Sequence, residues 1–213
     1  MRLFLTGNPG VGKTTLIRAI VQRLEGITCA GFYTEDTRQR GERTGFRIVT
    51  LDGQKGMLAT VGGKKPTVGK YSIHIEEFEK LALLQLEPGR NPADLYIIDE
   101  IGKMEILSRQ FRTRIVELLA QPTNLLATIT KKATPFTDQL KRRRDIELVE
   151  VTQKNRDELP GRISSENQNP TREVIPLGVT TSRPFPGAQS HARYRNGHEE
   201  HARSVKLLRQ GIH

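Results

Sequence analysis

The chain has 213 residues, of which 35% are hydrophobic and 27% charged, and its formal net charge is +10. That length predicts one α/β domain of about 150 to 200 residues with a small appendage, and a single cysteine, Cys29, excludes an internal disulfide and fits a reducing cytoplasm. No apolar run approaches the ~18 residues of a membrane span, and the apolar start "MRLFL" stops at Thr6, too short for a signal peptide.

In chain order, "RLFLT" (2–6) reads as a short apolar strand running straight into a glycine loop. "TTLIRAIVQRL" (14–24) then reads as a helix with Leu16, Ile17, Ile20, Val21 and Leu24 on one face. "ITCAGFYT" (27–34) is a second strand. "GFRIVTLDGQKGMLATV" (45–61) holds two strand-like runs joined by Asp52-Gly53, a favoured hairpin turn, so the sheet should carry an antiparallel insertion. "GGKKPT" (62–67) is a loop, and "IEEFEKLALLQL" (75–86) a helix that should stop near Pro88-Gly89. "LYIID" (95–99) is a buried strand. In "SRQFRTRIVELLA" (108–120), Phe111, Ile115, Leu118 and Leu119 recur at helical spacing, with Ser108 as N-cap. "NLLATIT" (124–130) and "IELVEV" (146–151) complete the strands, separated by the helix signal "TPFTDQLKRRR" (134–144). Alternating strand and helix signals through residue 163 predict a mostly parallel sheet covered on both faces.

Beyond residue 163 the chain is rich in turn formers and poor in periodicity, so 164–213 reads as a basic, irregular or disordered extension, with "HEEHARSVKLLRQ" (198–210) as its one weak helix signal. His191, His198, His201 and His213 fall there. "HEEH" lacks the spacing of a zinc hydrolase, because the residue four after His198 is Ala202, and a solvated tail is the reading its composition favours.

The stretch "GNPGVGKTT" (7–15) carries the first chemistry. Gly7, Gly12, Lys13 and Thr14 fit the phosphate-loop pattern of Gly, four residues, Gly-Lys and Ser or Thr, with the required strand before and helix after. Its glycines let successive N–H groups face phosphate oxygens, and the helix start adds a positive dipole end. The expected nucleotide contacts run through Gly7, Asn8, Pro9, Gly10, Val11, Gly12, Lys13, Thr14 and Thr15, with Lys13 bridging the β- and γ-phosphates and Thr14 ligating Mg²⁺.

Such loops work with an acid at the end of a second apolar strand, which "LYIIDE" (95–100) supplies. Asp99 is the expected metal-supporting acid, since burying a carboxylate is costly without a cation beside it. Glu100 projects elsewhere from the strand end, where it could orient and deprotonate a water lined up on the γ-phosphate. A kinase would instead exclude water and bind an acceptor hydroxyl.

"DEIGKMEI" (99–106), with "GFYTEDTRQRGERTGF" (31–46) and "VTQKNRDELP" (151–160), resembles the THEP-type nucleoside triphosphatases, a family that includes the cancer-related nucleoside triphosphatase of animals. The likeness covers about residues 1–163. It implies a RecA-like P-loop fold and slow, Mg²⁺-dependent hydrolysis of several nucleoside triphosphates (ATP, GTP, CTP, UTP) with broad base selectivity. It also implies that the stretch from Asp99 and Glu100 through Ile101, Gly102 and Lys103 is a second nucleotide-binding segment. Asn8 departs from the family, which often has proline there. Lys103 either stabilises charge on the phosphates or pairs with Glu105 or another acid as a scaffold. Arg38, Arg40 and Arg43 in "TRQRGER" (37–43), read as a lid loop, and Arg156 in "NRDELP" are the candidates for a transition-state arginine.

The expectation is thus a cytoplasmic, Mg²⁺-dependent nucleoside triphosphatase. A nucleotide or nucleoside kinase on the same scaffold is the first alternative. A nucleic-acid-associated ATPase is the second, admitted by the net charge of +10 and supported by no motif. The charge is spread rather than striped, its densest cluster, "KRRRD" (141–145), suits a helix C-terminus, and 5% aromatics without tryptophan give no stacking platform.

Overall fold

The structure is a computed structural model that describes residues 1–161 and 163. Its strands are β1 (Arg2–Thr6), β2 (Cys29–Gln39), β3 (Glu42–Thr50), β4 (Lys55–Val61), β5 (Thr67–Val68), β6 (Tyr71–Ile73), β7 (Leu95–Ile101), β8 (Leu125–Ile129) and β9 (Glu147–Glu150). Its helices are α1 (Lys13–Val21), α2 (Ile75–Gln85), α3 (Arg109–Ala120) and α4 (Pro135–Lys141), with a 3-10 turn at Glu105–Leu107. One sheet takes all these strands in the order β5-β6-β4-β3-β2-β7-β8-β1-β9.

Strands β2, β7, β8, β1 and β9 pair in parallel. Their side chains alternate between two cores. Leu3 and Leu5 of β1, with Leu95, Ile97 and Leu126, pack with Leu16, Ile17 and Ile20 of α1. Phe4, Tyr96, Ile98, Leu125 and Ala127 point the other way, into a core that α2, α3 and α4 share. A strand covered on both faces reads as an unbroken apolar run, which is how "LYII" and "NLLATI" stood out. Phe32, Phe78 and Phe111 lock α2 and α3 against β2, with ring centroids 5.1 to 6.0 Å apart.

Among the described residues the helices follow local signals. In α3 the Ser108 hydroxyl accepts from the Phe111 N–H at 2.9 Å, and Phe111, Ile115, Leu118 and Leu119 are its buried residues. Thr134 and Thr137 form a reciprocal capping box ahead of α4, with Pro135 in the first turn. Helix α1 stops at Val21 and a tight turn, with Arg23 N–H on Ile20 O and Leu24 N–H on Val21 O, carries Leu24 into the core.

The Asp52-Gly53 hairpin forms between β3 and β4, with Gly53 at φ +91°. It is one turn of a longer antiparallel run, β2-β3-β4-β6-β5. The expected lid loop "TRQRGER" differs: it is the tip of the β2–β3 hairpin, with Arg38 in β2, Arg43 in β3 and the turn at Arg40-Gly41. Alternating apolar residues are what mark a strand, and this stretch projects beyond the core with polar side chains on both faces.

The parallel pairing of β2 with β7 depends on one close approach. A Cβ on Gly31 of β2 would lie 1.9 Å from the Ile97 carbonyl oxygen of β7, and its φ is +127°. Among the described residues no helix is long and apolar enough to cross a membrane. The extension expected at 164–213, with its four histidines, lies outside the described residues.

Candidate active site

The loop 7–12 joins β1 to α1 at the carboxyl end of the parallel strands. Gly7 is required by space, because a Cβ there would sit 2.6 Å from the Val151 carbonyl oxygen. Gly12 is required by conformation: it caps α1 at φ +103°, a left-handed backbone that side chains disfavour. Its carbonyl accepts the first helical bond, from Leu16 N–H at 2.9 Å. Lys13 opens α1 and folds back so that Nζ donates to the Gly7 carbonyl at 3.3 Å. Thr14 is half-buried behind it and Thr15 exposed.

Asp99 and Glu100 lie near the end of β7, joined by a cis peptide. Asp99 is only 1% exposed. Its Oδ1 accepts from the Thr128 hydroxyl of β8 at 2.6 Å, and its Oδ2 is buried with no partner. Burial pushes the Asp99 carboxyl up, while the Thr128 hydrogen bond, the nearby Thr14 hydroxyl and the charges of Lys13 and Arg18 pull it down. Half-buried Glu100 is raised by burial and by the charge of Asp99, with Lys13 opposing.

A third acid closes the site. Glu105 is 5% exposed, and its Oε2 accepts from the Gly102 N–H at 3.1 Å. A Cβ on Gly102 would lie 2.8 Å from that oxygen and 3.4 Å from Glu100 Oε1, so two carboxyl groups converge where only glycine fits. Burial first, then the charge of Glu100, pushes the Glu105 carboxyl up to about 8, so it is a neutral acid at pH 7. Lys103 is exposed and, among the described residues, forms no ion pair with Glu105. Ile101 is buried in the core beneath.

These groups border a cleft of about 430 Å³. Gly7, Asn8, Pro9 and Lys13 form one side, Glu100 and Gly102 to Glu105 the next, and Thr130, Lys131 and Lys132 another, while Thr34, Phe46 and Val68 come from the antiparallel strands. A second recess adjoins the same loop, between Asn8 to Val11 and Glu150 to Lys154.

Of the four candidate arginines, Arg156 is brought to the loop, where Nη1 donates to the Val11 carbonyl at 3.5 Å. Arg38 and Arg43 are both engaged by Asp36, at 3.0 and 2.7 Å, and Arg40 is exposed at the hairpin turn. Sequence reasoning passed over Arg18. It lies 4.0 Å over the Tyr33 ring and pairs with Glu35, which also binds Arg47. Its signal was available: Arg18 follows Thr14 by one helical turn. Thr128 had a signal too, a hydroxyl inside the apolar run "LLATI", which burial makes costly without a partner.

The residues suit a hard divalent cation. A buried carboxylate oxygen without a partner sits beside the Thr14 hydroxyl, and Mg²⁺ is held by one or two such oxygens with substrate phosphates and water supplying the rest.

A family model described as NTPase matches residues 2–164. The nucleoside-triphosphatase THEP1 of Thermotoga sp. (strain RQ2) is 43% identical over 166 residues, spanning 78% of this chain and 94% of that protein. The human cancer-related nucleoside-triphosphatase is 40% identical over 176 residues, spanning 74% of this chain and 91% of that protein. Among solved structures, THEP1 from the hyperthermophile Aquifex aeolicus superposes with a TM-score of 0.72 at 38% identity, covering 79% of this chain and all of that one.

Proposed function

The chain belongs to the NTPase family and is a hydrolase by that membership, and from this premise we propose that it hydrolyses nucleoside 5'-triphosphates to the diphosphate and phosphate, with Mg²⁺ and little regard for the base. One observation carries the reading: Lys13, Asp99 and Glu100 converge at the mouth of the glycine loop, with Asp99 Oδ2 buried and unpartnered.

In this reading the N–H groups of residues 7–14 and the start of α1 bind the phosphates. Lys13, released from the Gly7 carbonyl, reaches the β- and γ-phosphates. Thr14 and Asp99 hold Mg²⁺, which when bound neutralises charge on the phosphate oxygens. Thr128 fixes the Asp99 carboxyl by its hydrogen bond. Glu100, whose carboxyl is raised by burial with Lys13 opposing, orients the attacking water and takes its proton, a contribution of about 10²- to 10⁴-fold. In this reading the base lies in the second recess, whose described lining residues include no aromatic ring on which to stack, which fits broad base selectivity.

Phosphate release from ATP, GTP, CTP and UTP with Mg²⁺ tests this, wild type against Glu100→Gln. The expected outcome is turnover of all four by the wild type and a loss of 10²-fold or more in the variant with nucleotide binding retained. Equal rates in the two chains would remove Glu100 from the mechanism.

A further inference from the structure

Hydrolysis needs a phosphate cradle, a metal and a water. It does not need an apolar wall, and the cleft at the Lys13 and Glu100 end has one, made by Phe46, Val68 and Met104 with Thr34 among them. Phe46 is only half-buried. Its ring is braced against Tyr71, at 5.1 Å between centroids and 65° between planes, with the Arg43 guanidinium 5.4 Å from its centroid. A separate recess along Asn8 to Val11 adjoins the same loop, and in the reading above it takes the nucleoside of a bound triphosphate, leaving this cleft free.

We propose that the cleft is an acceptor pocket: the protein transfers the γ-phosphoryl group of a nucleoside triphosphate to the hydroxyl of a nucleoside, in competition with water. This rests on the reading that the loop holds the phosphates and Glu100 is the base. A nucleoside suits the wall because its flat heterocycle can stack on Phe46 while its ribose hydroxyl faces Glu100. The hydroxyl oxygen attacks the γ-phosphorus and a new O–P bond forms. The bond from that phosphorus to the β,γ-bridging oxygen breaks, its electron pair leaves with the nucleoside diphosphate, and the hydroxyl proton passes to the Glu100 carboxylate.

The test incubates the full chain with γ-phosphate-labelled ATP, Mg²⁺ and, separately, adenosine, guanosine, cytidine, uridine and thymidine. Label on the nucleoside and label in free phosphate are read from the same tube. The expected result is label on at least one nucleoside, with about a tenfold rise in the nucleoside KM for Phe46→Ala. Phosphate release without nucleoside should stay unchanged in that variant, which also shows that it folds. Phe46→Tyr keeps the ring and should keep the wild-type KM. Free phosphate without label on any nucleoside overturns the acceptor pocket and leaves hydrolysis standing. Label on a nucleoside without free phosphate overturns hydrolysis and leaves the pocket standing. Transfer indifferent to Phe46→Ala removes the stacking wall and with it the proposal.

Discussion

The two halves of the sheet are built by different means. The parallel half is sandwiched between two apolar cores, and its central strands β7 and β8 are buried along nearly their whole length. The antiparallel half is half-exposed and laced with ion pairs, Asp36 with Arg38 and Arg43, Glu35 with Arg18 and Arg47. Apolar burial of about 25 cal/mol per Å² favours the first strongly, whereas exposed ion pairs are worth little each. The parallel half therefore gains more from burial and carries the glycine loop, and the antiparallel half is free to shape the far wall of the cleft. The proposed chemistry sits where the two meet.

The sharpest test of that division uses glycines, one in each half. Gly31→Ala forces a Cβ against the Ile97 carbonyl between two buried strands, at a backbone angle side chains rarely adopt. A loss of about 3 kcal/mol or more, or failure to fold, is expected in denaturant unfolding. Gly45→Ala places its Cβ 2.1 Å from the Ala59 carbonyl within β3–β4. Gly45, unlike Gly31, has no left-handed backbone angle to add to the crowding, so the expected loss is smaller, and equal losses would break the comparison.

A second, smaller effect is the pH dependence of stability. Glu105 in the parallel half has a folded-state value raised to about 8, so its contribution is full below the unfolded carboxyl value and is lost as pH rises through about 8. Burial works to raise Glu35 in the antiparallel half, but Arg18 and Arg47 outweigh it and hold the carboxyl low, so its contribution is lost as pH falls into the acid range. Melting temperature against pH should therefore fall at the alkaline end in wild type and fall less in Glu105→Gln. Glu35→Gln should flatten only the acid end.

The smallest effect is expected at the hairpin tip. Asp36→Ala removes both ion pairs there, yet the arginines are 54% and 44% exposed, so the change should stay within about 1 kcal/mol by thermal unfolding. A larger loss would mean that the tip holds the β2–β3 register.

The same division explains what the amino-acid sequence disclosed. Strand β7, the capped helix α3 and the loop 7–14 are written in local spacing, and each lies in the parallel half or on its faces. The hairpin tip was misread as a loop because "TRQRGER" has no apolar alternation to betray a strand. In the cleft, Lys13, Asp99 and Glu100 were legible from one loop and one strand end. Phe46, Thr128 and Glu105 were not assigned, because what places them is pairing between segments far apart in the chain: β3 beside β2, β8 beside β7, and a turn folded back on Gly102.

Strand β1 lies between β8 and β9, pairing Leu3 with Leu126 and with Glu147. The earliest of the described strands to be synthesised thus waits for the last two of them, and Gly7 finds its place against Val151 only when nearly all the described domain has been made. Closing so long a loop is entropically slow, and pairings of this span form late. A nascent chain has no cradle for a phosphate until that closure, so nucleotide binding marks the end of folding rather than a step along it.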